Sequence, residues 1–370
     1  MILKKYLPNI LLSVCSFIFI LAIIEIALHV INPEKPKLIE KPKTDWALVT
    51  ERVWTEHDPN LGWALMKNKN AELKIEFGTF PMKFSASGFR GDKNYSLSRT
   101  DGVKRMAVIG DSFPFGWGVL DHEVFSSLLE KKYPNVEIPN FSVPGYGIDQ
   151  IYLSYKYRAR NYKPDVVLIG IYPEDFWRAT RAFSDTGHCK PYFTLKMNGE
   201  LALKNTPVPL PFTLTTNQFP EIIEKSNFER LLMRSYVARF FSKRLNKAAK
   251  SIGLIDPDTR EEWKLGKAII KQLIYEVKKD QAIPILFTAP PRRWAESNDD
   301  ESVLKSIRRL AKAEGVYFID FTPHFRRLIA SSDPSDYYIP KDLHWTAKAH
   351  TYVADTFISE LNTIGFPLDK

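Results

Sequence analysis

The stretch from Arg105 to Val119, Arg-Met-Ala-Val-Ile-Gly-Asp-Ser-Phe-Pro-Phe-Gly-Trp-Gly-Val, constrains the fold more than any other, because an unbroken apolar run ends there in a Gly-Asp-Ser turn. Met106 to Ile109 follow one another without polar alternation, the pattern of a strand buried on both faces, and a helical pattern follows the turn. Ser112 is therefore expected at the carboxyl end of a parallel strand, where open α/β sheets place their ligands. Taken alone, Gly-Asp-Ser is also ordinary strand-to-helix punctuation.

The rest of the chain repeats this alternation. Asp121 is expected to cap a helix from about His122 to Tyr133, and Val136 to Val143 reads as a second strand ending in Asn140-Phe-Ser-Val-Pro-Gly145-Tyr-Gly147. A helix follows from Ile148 to about Arg160, then a buried strand from Pro164 to Ile171. Further on come a helix (Trp263 to Lys279), a strand (Ile283 to Phe287), a helix (Val303 to Glu314), a strand (Val316 to Asp320) and an amphipathic helix ending near Leu361. Strands and helices in alternation, with short connections, imply right-handed parallel crossovers and a three-layer α/β/α sandwich.

The amino terminus is of another kind. Ile10 to Ile31 is apolar except for Ser13, Ser16, Glu25 and His29. As a helix it spans about 33 Å at about 1.5 Å per residue, enough to cross a bilayer. No short apolar core with a small-residue exit is present, so an uncleaved anchor is expected at 10–31, after a cytoplasmic tail at 1–9. Glu25 is costly there unless it lies near an interface or meets a partner such as His29, one turn on. Pro33 to Lys43 is proline-rich and charged, a stiff solvated linker within 32–53. A lead-in at 54–103 is expected to pack on the main domain; in it Leu73, Ile75 and Phe77 alternate with charges as in a half-buried strand.

The 370 residues carry a net charge of +9 with no dense basic run, so nucleic-acid binding is not indicated. Cys15 and Cys189 are the two cysteines, and one falls in the apolar span, so neither a zinc pattern nor a redox pair is present.

Gly110-Asp111-Ser112, together with Asp58-Pro-Asn-Leu-Gly-Trp63 and Gly88-Phe-Arg-Gly91 upstream, resembles the SGNH (GDSL-type) hydrolases, in particular a bacterial membrane-anchored branch. Near the carboxyl end, Asp342-Leu-His344 precedes the last helix with the D-x-H spacing of that branch and of alginate O-acetylation proteins. The resemblance implies a mostly parallel, five-stranded, flavodoxin-like sheet at 104–370, and it leaves 178–262 as an insertion. It implies Ser112 as nucleophile, His344 as general base, Asp342 as the group that fixes the histidine tautomer, and Ser112 and Gly145 backbone N–H groups as the oxyanion hole. Glu174 falls where relatives commonly carry an oxyanion-binding asparagine. An ionised carboxylate cannot donate a hydrogen bond, so Glu174 either points away or stays protonated.

Within the insertion, Asn198-Gly199 between two apolar-containing arms signals a hairpin over Pro191 to Lys204. Ser226 to Glu229 has capping-box spacing and is expected to open a long helix bearing Phe228, Leu231, Leu232, Val237 and Phe240 among basic residues. The functional expectation is an extracytoplasmic, periplasmic serine esterase acting on O-acyl, especially acetyl, esters of a glycan or a small molecule, with no metal or organic cofactor. One alternative is an O-acyltransferase that receives acetyl from a membrane acyltransferase partner and modifies an exported polysaccharide. Another is an inactive glycan-binding or scaffold protein.

Overall fold

A computed structural model describes residues 2–31, 54–184, 188–208, 222–225, 227, 235–238, 240–241, 244–245, 260–297, 301–366 and 368. Two compact units are present, one made of Met1–Ile39, Thr216–Gln218 and Ile223–Asp256, the other of the remaining chain. The expected linker at 32–53 and the capping box at Ser226 lie outside the described residues.

In the first unit, α1 (Ile2–Ile31) is one continuous helix, and Leu11–Ile31 is long and apolar enough to cross a membrane. Residues 2–9, expected as a tail, extend this helix.

The second unit begins with two hairpins. β1 (Thr55–Asp58) pairs antiparallel with β2 (Gly62–Leu65), and β3 (Lys69–Ile75) with β4 (Gly78–Phe84). The expected strand at Glu72 thus starts three residues earlier and turns at Glu76-Phe77. Leu73 is buried and Phe77 is exposed. Trp54 stacks between Phe84 and Phe115, and the Trp63 indole N–H donates to the Pro144 carbonyl, so this lead-in is fastened to the loops around Ser112.

The main sheet contains β5 (Lys104–Ile109), β6 (Val136–Glu137) and β7 (Val166–Ile171). After the antiparallel hairpin of β8 (Tyr192–Leu195) and β9 (Leu201–Lys204), it is completed by β10 (Ile283–Thr288) and β11 (Tyr317–Ile319). The five strands are parallel in the order β11-β10-β7-β5-β6. That is the flavodoxin-like order, with the direction of winding reversing between β5 and β7.

The helices are α2 (Ser112–Phe115), α3 (Phe125–Lys132), α4 (Ile148–Tyr157), α5 (Pro173–Arg178), α6 (Glu261–Lys279), α7 (Arg292–Glu296), α8 (Glu301–Ala313), α9 (Thr322–Ser331) and α10 (Ala347–Thr363). Side chains of a strand alternate between faces. Met106, Val108, Val166, Leu168, Ile285 and Phe287 accordingly share one core with Phe125 of α3, Phe325 of α9 and Phe357 of α10. Ala107, Ile109, Val167, Ile169 and Leu286 are buried on the other face, where α4 and α6 pack on the sheet and on each other. Helices on both faces make the three-layer sandwich, and they explain why the strands are apolar throughout.

Two sequence expectations are corrected. Asp121 does not cap a helix at His122; it starts a short 3-10 turn (Asp121–Glu123), and α3 begins at Phe125. The Asp121 carboxylate instead accepts from Arg90 Nε at 2.7 Å and from the Lys83 N–H at 2.9 Å, tying the lead-in to the main domain. The second strand is two residues long rather than eight, because beyond Glu137 the chain reaches Pro139 and meets β5 again only by a single bridge at Asn140.

One close contact governs the packing of α6. A Cβ on Gly266 would lie 2.2 Å from Phe176 Cδ1, and that ring stacks on Trp263 with centroids 3.9 Å apart. Alanine gains about 1 kcal/mol of helix propensity over glycine, whereas overpacking a buried ring costs about 1–3 kcal/mol. Gly266→Ala is therefore expected to lower the urea midpoint of the purified protein; a raised midpoint would show that the α5–α6 contact yields without cost.

Candidate active site

The site is assembled at the carboxyl ends of β5, β7 and β10. Ser112 is the first residue of α2, immediately after β5. Asp111 caps this short helix, its Oδ1 accepting from the Phe113 N–H at 3.1 Å. Gly110 is required by close approach, since a Cβ there would fall 2.4 Å from the Pro114 ring. The turn places the Ser112 hydroxyl just beyond a buried strand end, where the residue keeps 7% of its surface exposed.

His344 comes from a loop before α10 whose ends pair antiparallel through Tyr338 and Trp345. The Tyr338 hydroxyl and the Trp345 indole N–H both donate to the Pro290 carbonyl beyond β10, which fixes the loop to the sheet. The imidazole lies between the rings of Phe113 and Trp117, with centroids 4.8 and 5.6 Å away. Its Nδ1 is 2.5 Å from Asp342 Oδ1 and its Nε2 is 2.7 Å from Ser112 Oγ. A carboxylate only accepts, so Nδ1 carries the proton and Nε2 is left to accept from the serine hydroxyl. The D-x-H spacing suits this arrangement because Asp342 Oδ1 also accepts from the His344 backbone N–H at 2.9 Å, an Asx-type turn that aims the ring at its own partner. Burial alone would raise the Asp342 pKa; the hydrogen bond and charge of His344, with backbone N–H groups of His344 and Leu343, outweigh it and hold the carboxyl below its ordinary value.

Gly145 sits in the loop after Asn140 with φ of 81°, a left-handed conformation that favours glycine. The Val143 N–H donates to the Gly110 carbonyl at 3.2 Å, so this loop runs beside the nucleophile turn. Among the described residues, neither the Ser112 nor the Gly145 N–H donates to a protein acceptor. Glu174, at the start of α5, directs Oε1 to Arg293 Nη2 at 2.9 Å on α7.

Arg178, a residue the sequence reading left at the edge of the insertion, links three of these loops. Its Nη1 donates to Asp175 Oδ1 at 2.9 Å, to Asp111 Oδ2 at 3.3 Å and to the Tyr146 carbonyl at 3.2 Å. Asp175 in turn accepts from the Tyr172 N–H and caps α5. The Asp175 pKa is pushed well up, first by burial and then by the neighbouring Asp111, against the pull of Arg178. Asp175 and Arg178, three apart on a helix, were the available sequence signal; their joint contact with Asp111 was not local. Arg90 fixes the lead-in to the loop after α2, donating to the Phe115 carbonyl at 2.9 Å and to the carbonyls of Gly116 and Val119. His350 is buried against Phe125, accepts from the Phe125 N–H, and is pushed down to about 3 by burial, so it is held neutral in the core.

A cavity of about 920 Å³ opens over His344 and Asp342. The β3–β4 hairpin supplies Ile75 and Phe77 to its wall, Trp117 comes from the loop after α2, and Arg292, Arg293 and Lys341 line it as ion pairs with Glu296, Glu174 and Glu76. Among the described residues, no group of three or more His, Cys, Asp or Glu side chains is placed to hold a metal ion.

No protein-family model matches the chain, and no curated protein matches it. Among solved structures it is similar to the psychrotrophic esterase EstA from Pseudoalteromonas sp., at 14% identity over 70% of this chain and 97% of that one, with a TM-score of 0.39. It is also similar to an acetylxylan esterase from Geobacillus stearothermophilus, at 14% identity over 73% and 99% of the two chains, with a TM-score of 0.41. TesA shares 10% identity over 70% and 99%, with a TM-score of 0.41.

Arg178 separates two carboxylates that are both almost wholly out of water. Removing one partner of such a buried network costs about 3–5 kcal/mol. Arg178→Ala is expected to lose about 3 kcal/mol of stability in urea unfolding, and a loss below about 1 kcal/mol would mean that water replaces the guanidinium.

Proposed function

We propose that the chain is an SGNH-type serine esterase cleaving O-acyl esters, with Ser112, His344 and Asp342 as its catalytic residues. The observation that carries this reading is the continuous Asp342–His344–Ser112 relay, with bonds of 2.5 and 2.7 Å, beside an open cavity. In this mechanism His344 Nε2 takes the hydroxyl proton as Ser112 Oγ bonds to the ester carbonyl carbon. Asp342 stabilises the resulting imidazolium. The backbone N–H groups of Ser112 and Gly145 receive the negative charge on the former carbonyl oxygen. His344 then gives the proton to the departing alcohol, leaving an acyl group on Ser112, and a second cycle with water releases the acid.

The body is proposed to be held outside a bacterial cytoplasmic membrane by α1, in support of which Leu11–Ile31 has the length and apolarity of a span. An acylated glycan is the proposed substrate class: Trp117 and Phe77 offer flat apolar faces, and the ion-paired Arg292, Arg293 and Lys341 side chains with their carboxylates suit a hydroxyl-rich ligand. Transfer to a sugar hydroxyl in place of water is the second reading, supported by the volume of the cavity beside His344, about 920 Å³.

The purified full chain, incubated with an activated acetyl ester, is expected to release product and to carry acetyl on Ser112 by mass spectrometry. Ser112→Ala should lower kcat by at least about a hundredfold, and Asp342→Asn, which inverts the favoured histidine tautomer, by about 10³–10⁴-fold. Equal rates for folded wild type and Ser112→Ala would leave the scaffold reading in its place. A glycan acceptor added to the same assay separates transfer from hydrolysis, because a transferase acylates sugar faster than water.

Glu174→Asn provides a donor in place of a carboxylate now engaged with Arg293. Activity on small esters is expected to hold or to rise, one well-placed oxyanion donor being worth about 3 kcal/mol. Complete loss in a folded variant would give Glu174 a positive role.

A further inference from the structure

Glu25, the acidic residue of the apolar stretch, has partners the sequence did not suggest. Its Oε2 accepts from the Ser235 hydroxyl at 2.9 Å and from the Val237 N–H at 2.8 Å, and its Oε1 accepts from the Tyr236 N–H at 2.7 Å. The Ser235 hydroxyl also accepts from the Ala238 N–H at 3.0 Å. Tyr236, Val237, Ala238, Phe240, Phe241, Arg244 and Leu245 are helical, so these bonds satisfy the first three N–H groups of a helix opened by Ser235. His29, the partner expected from sequence, is 3.2 Å from Glu25 and stands edge-on to the Tyr236 ring at 4.8 Å.

Two further features bear on where this assembly sits. Phe240, Phe241 and Leu245 are exposed. The Arg244 guanidinium lies 4.2 Å over the Phe240 ring, apolar body and charged tip together. Glu25 lies six residues before Ile31, about 9 Å from the end of α1 at about 1.5 Å per residue. Interfacial helices bury their apolar side to a depth of about 5–10 Å. In water, solvent would satisfy a helix start; at the edge of hydrocarbon every N–H needs a protein acceptor. A carboxylate from the apolar helix, supplied to that helix start, meets this need and also removes the cost of its own burial.

On the reading that α1 spans a membrane, we propose that the helical residues Tyr236, Val237, Ala238, Phe240, Phe241, Arg244 and Leu245 are a lipid-facing interfacial element, latched to α1 by Glu25, with Phe240, Phe241 and Leu245 in the acyl-chain boundary and Arg244 at the headgroups. The partner is the bilayer surface itself.

The test uses the full chain in a Cys15→Ser background, reconstituted in phosphatidylethanolamine–phosphatidylglycerol vesicles. The buried Cys189 is left in place. An environment-sensitive fluorophore is attached in turn to Phe241→Cys, to Phe19→Cys in the span and to Lys312→Cys on the exposed side of α8, and is quenched by lipids with a shallow nitroxide. Quenching at position 241 should exceed that at position 312 by at least about threefold, and Glu25→Leu should bring it down to the level at 312. Retained esterase activity serves as the check that Glu25→Leu is folded. If position 19 is quenched and position 241 is not, the interfacial helix is wrong while the anchor stands. Should position 19 also escape quenching, the anchor reading fails first. A position 241 shielded from both lipid and aqueous quenchers points to a protein partner and overturns the proposal, as does quenching that survives Glu25→Leu.

Discussion

The arrangement of the site depends on one guanidinium. The loops after β5 and β7 and the loop containing Gly145 come from separate crossovers, and nothing in parallel pairing fixes their tips relative to one another. Arg178 does so by contacting Asp111, Asp175 and the Tyr146 carbonyl at once. Without it, two carboxylates with almost no access to water would face each other, and Coulomb repulsion in such surroundings is far stronger than at a surface. The same contact bears on Ser112. Ser112 Oγ lies 3.4 Å from Asp111 Oδ2 and 2.7 Å from His344 Nε2. Arg178 Nη1 reaches the same Asp111 Oδ2 at 3.3 Å, and the shorter of the two serine contacts is the one to His344.

The β3–β4 hairpin builds up the rim of the cavity beside His344. Bare α/β sheets offer a shallow crevice at the strand ends; here Ile75 and Phe77 raise one wall and the Lys341–Glu76 pair, at 2.5 Å, closes its upper edge. The lead-in is thus part of the cavity wall, although it contributes no strand to the main sheet. Trp54, stacked on Phe115, couples its position to the turn that carries Ser112.

What was legible in the sequence was what is periodic or local. The strands at Met106, Val166 and Ile283 declare themselves by apolar runs, and the Asn198-Gly199 turn by its two residues. The Asp342-Leu-His344 geometry is also local, since one oxygen serves both the backbone N–H and the ring of a residue two positions on. The failures share a physical cause. Asp121 has the composition of a helix cap, but Arg90, 31 residues upstream, takes its carboxylate. For Glu174 the sequence left open whether it points away or stays protonated, because its partner Arg293 lies 119 residues away. Glu25 does meet His29 at 3.2 Å, as helical spacing allows, but its hydrogen bonds to Ser235, Tyr236 and Val237 lie 210 to 212 residues downstream and leave no local trace. Local pattern reports the backbone's preference; which charged tips meet is decided by packing, and no periodicity carries it.

Ionisable groups away from water recur in this chain, and they differ in a way that bears on function. Lys190 and Asp149 are fully buried and paired, with the Pro191 carbonyl taking a further Lys190 hydrogen bond at 3.2 Å. Burial shifts both toward neutrality, and their attraction opposes it. Such a pair contributes specificity of packing and offers nothing to a ligand. His350 escapes the same cost by staying neutral. Strongly perturbed groups can mark active sites, but only where a reacting molecule can reach them. His344 and Asp342 are both partly accessible and border a cavity, while His350, Lys190 and Asp149 do not line it. Accessibility, rather than the size of a titration shift, therefore separates the chemical site from the buried charges that hold the fold.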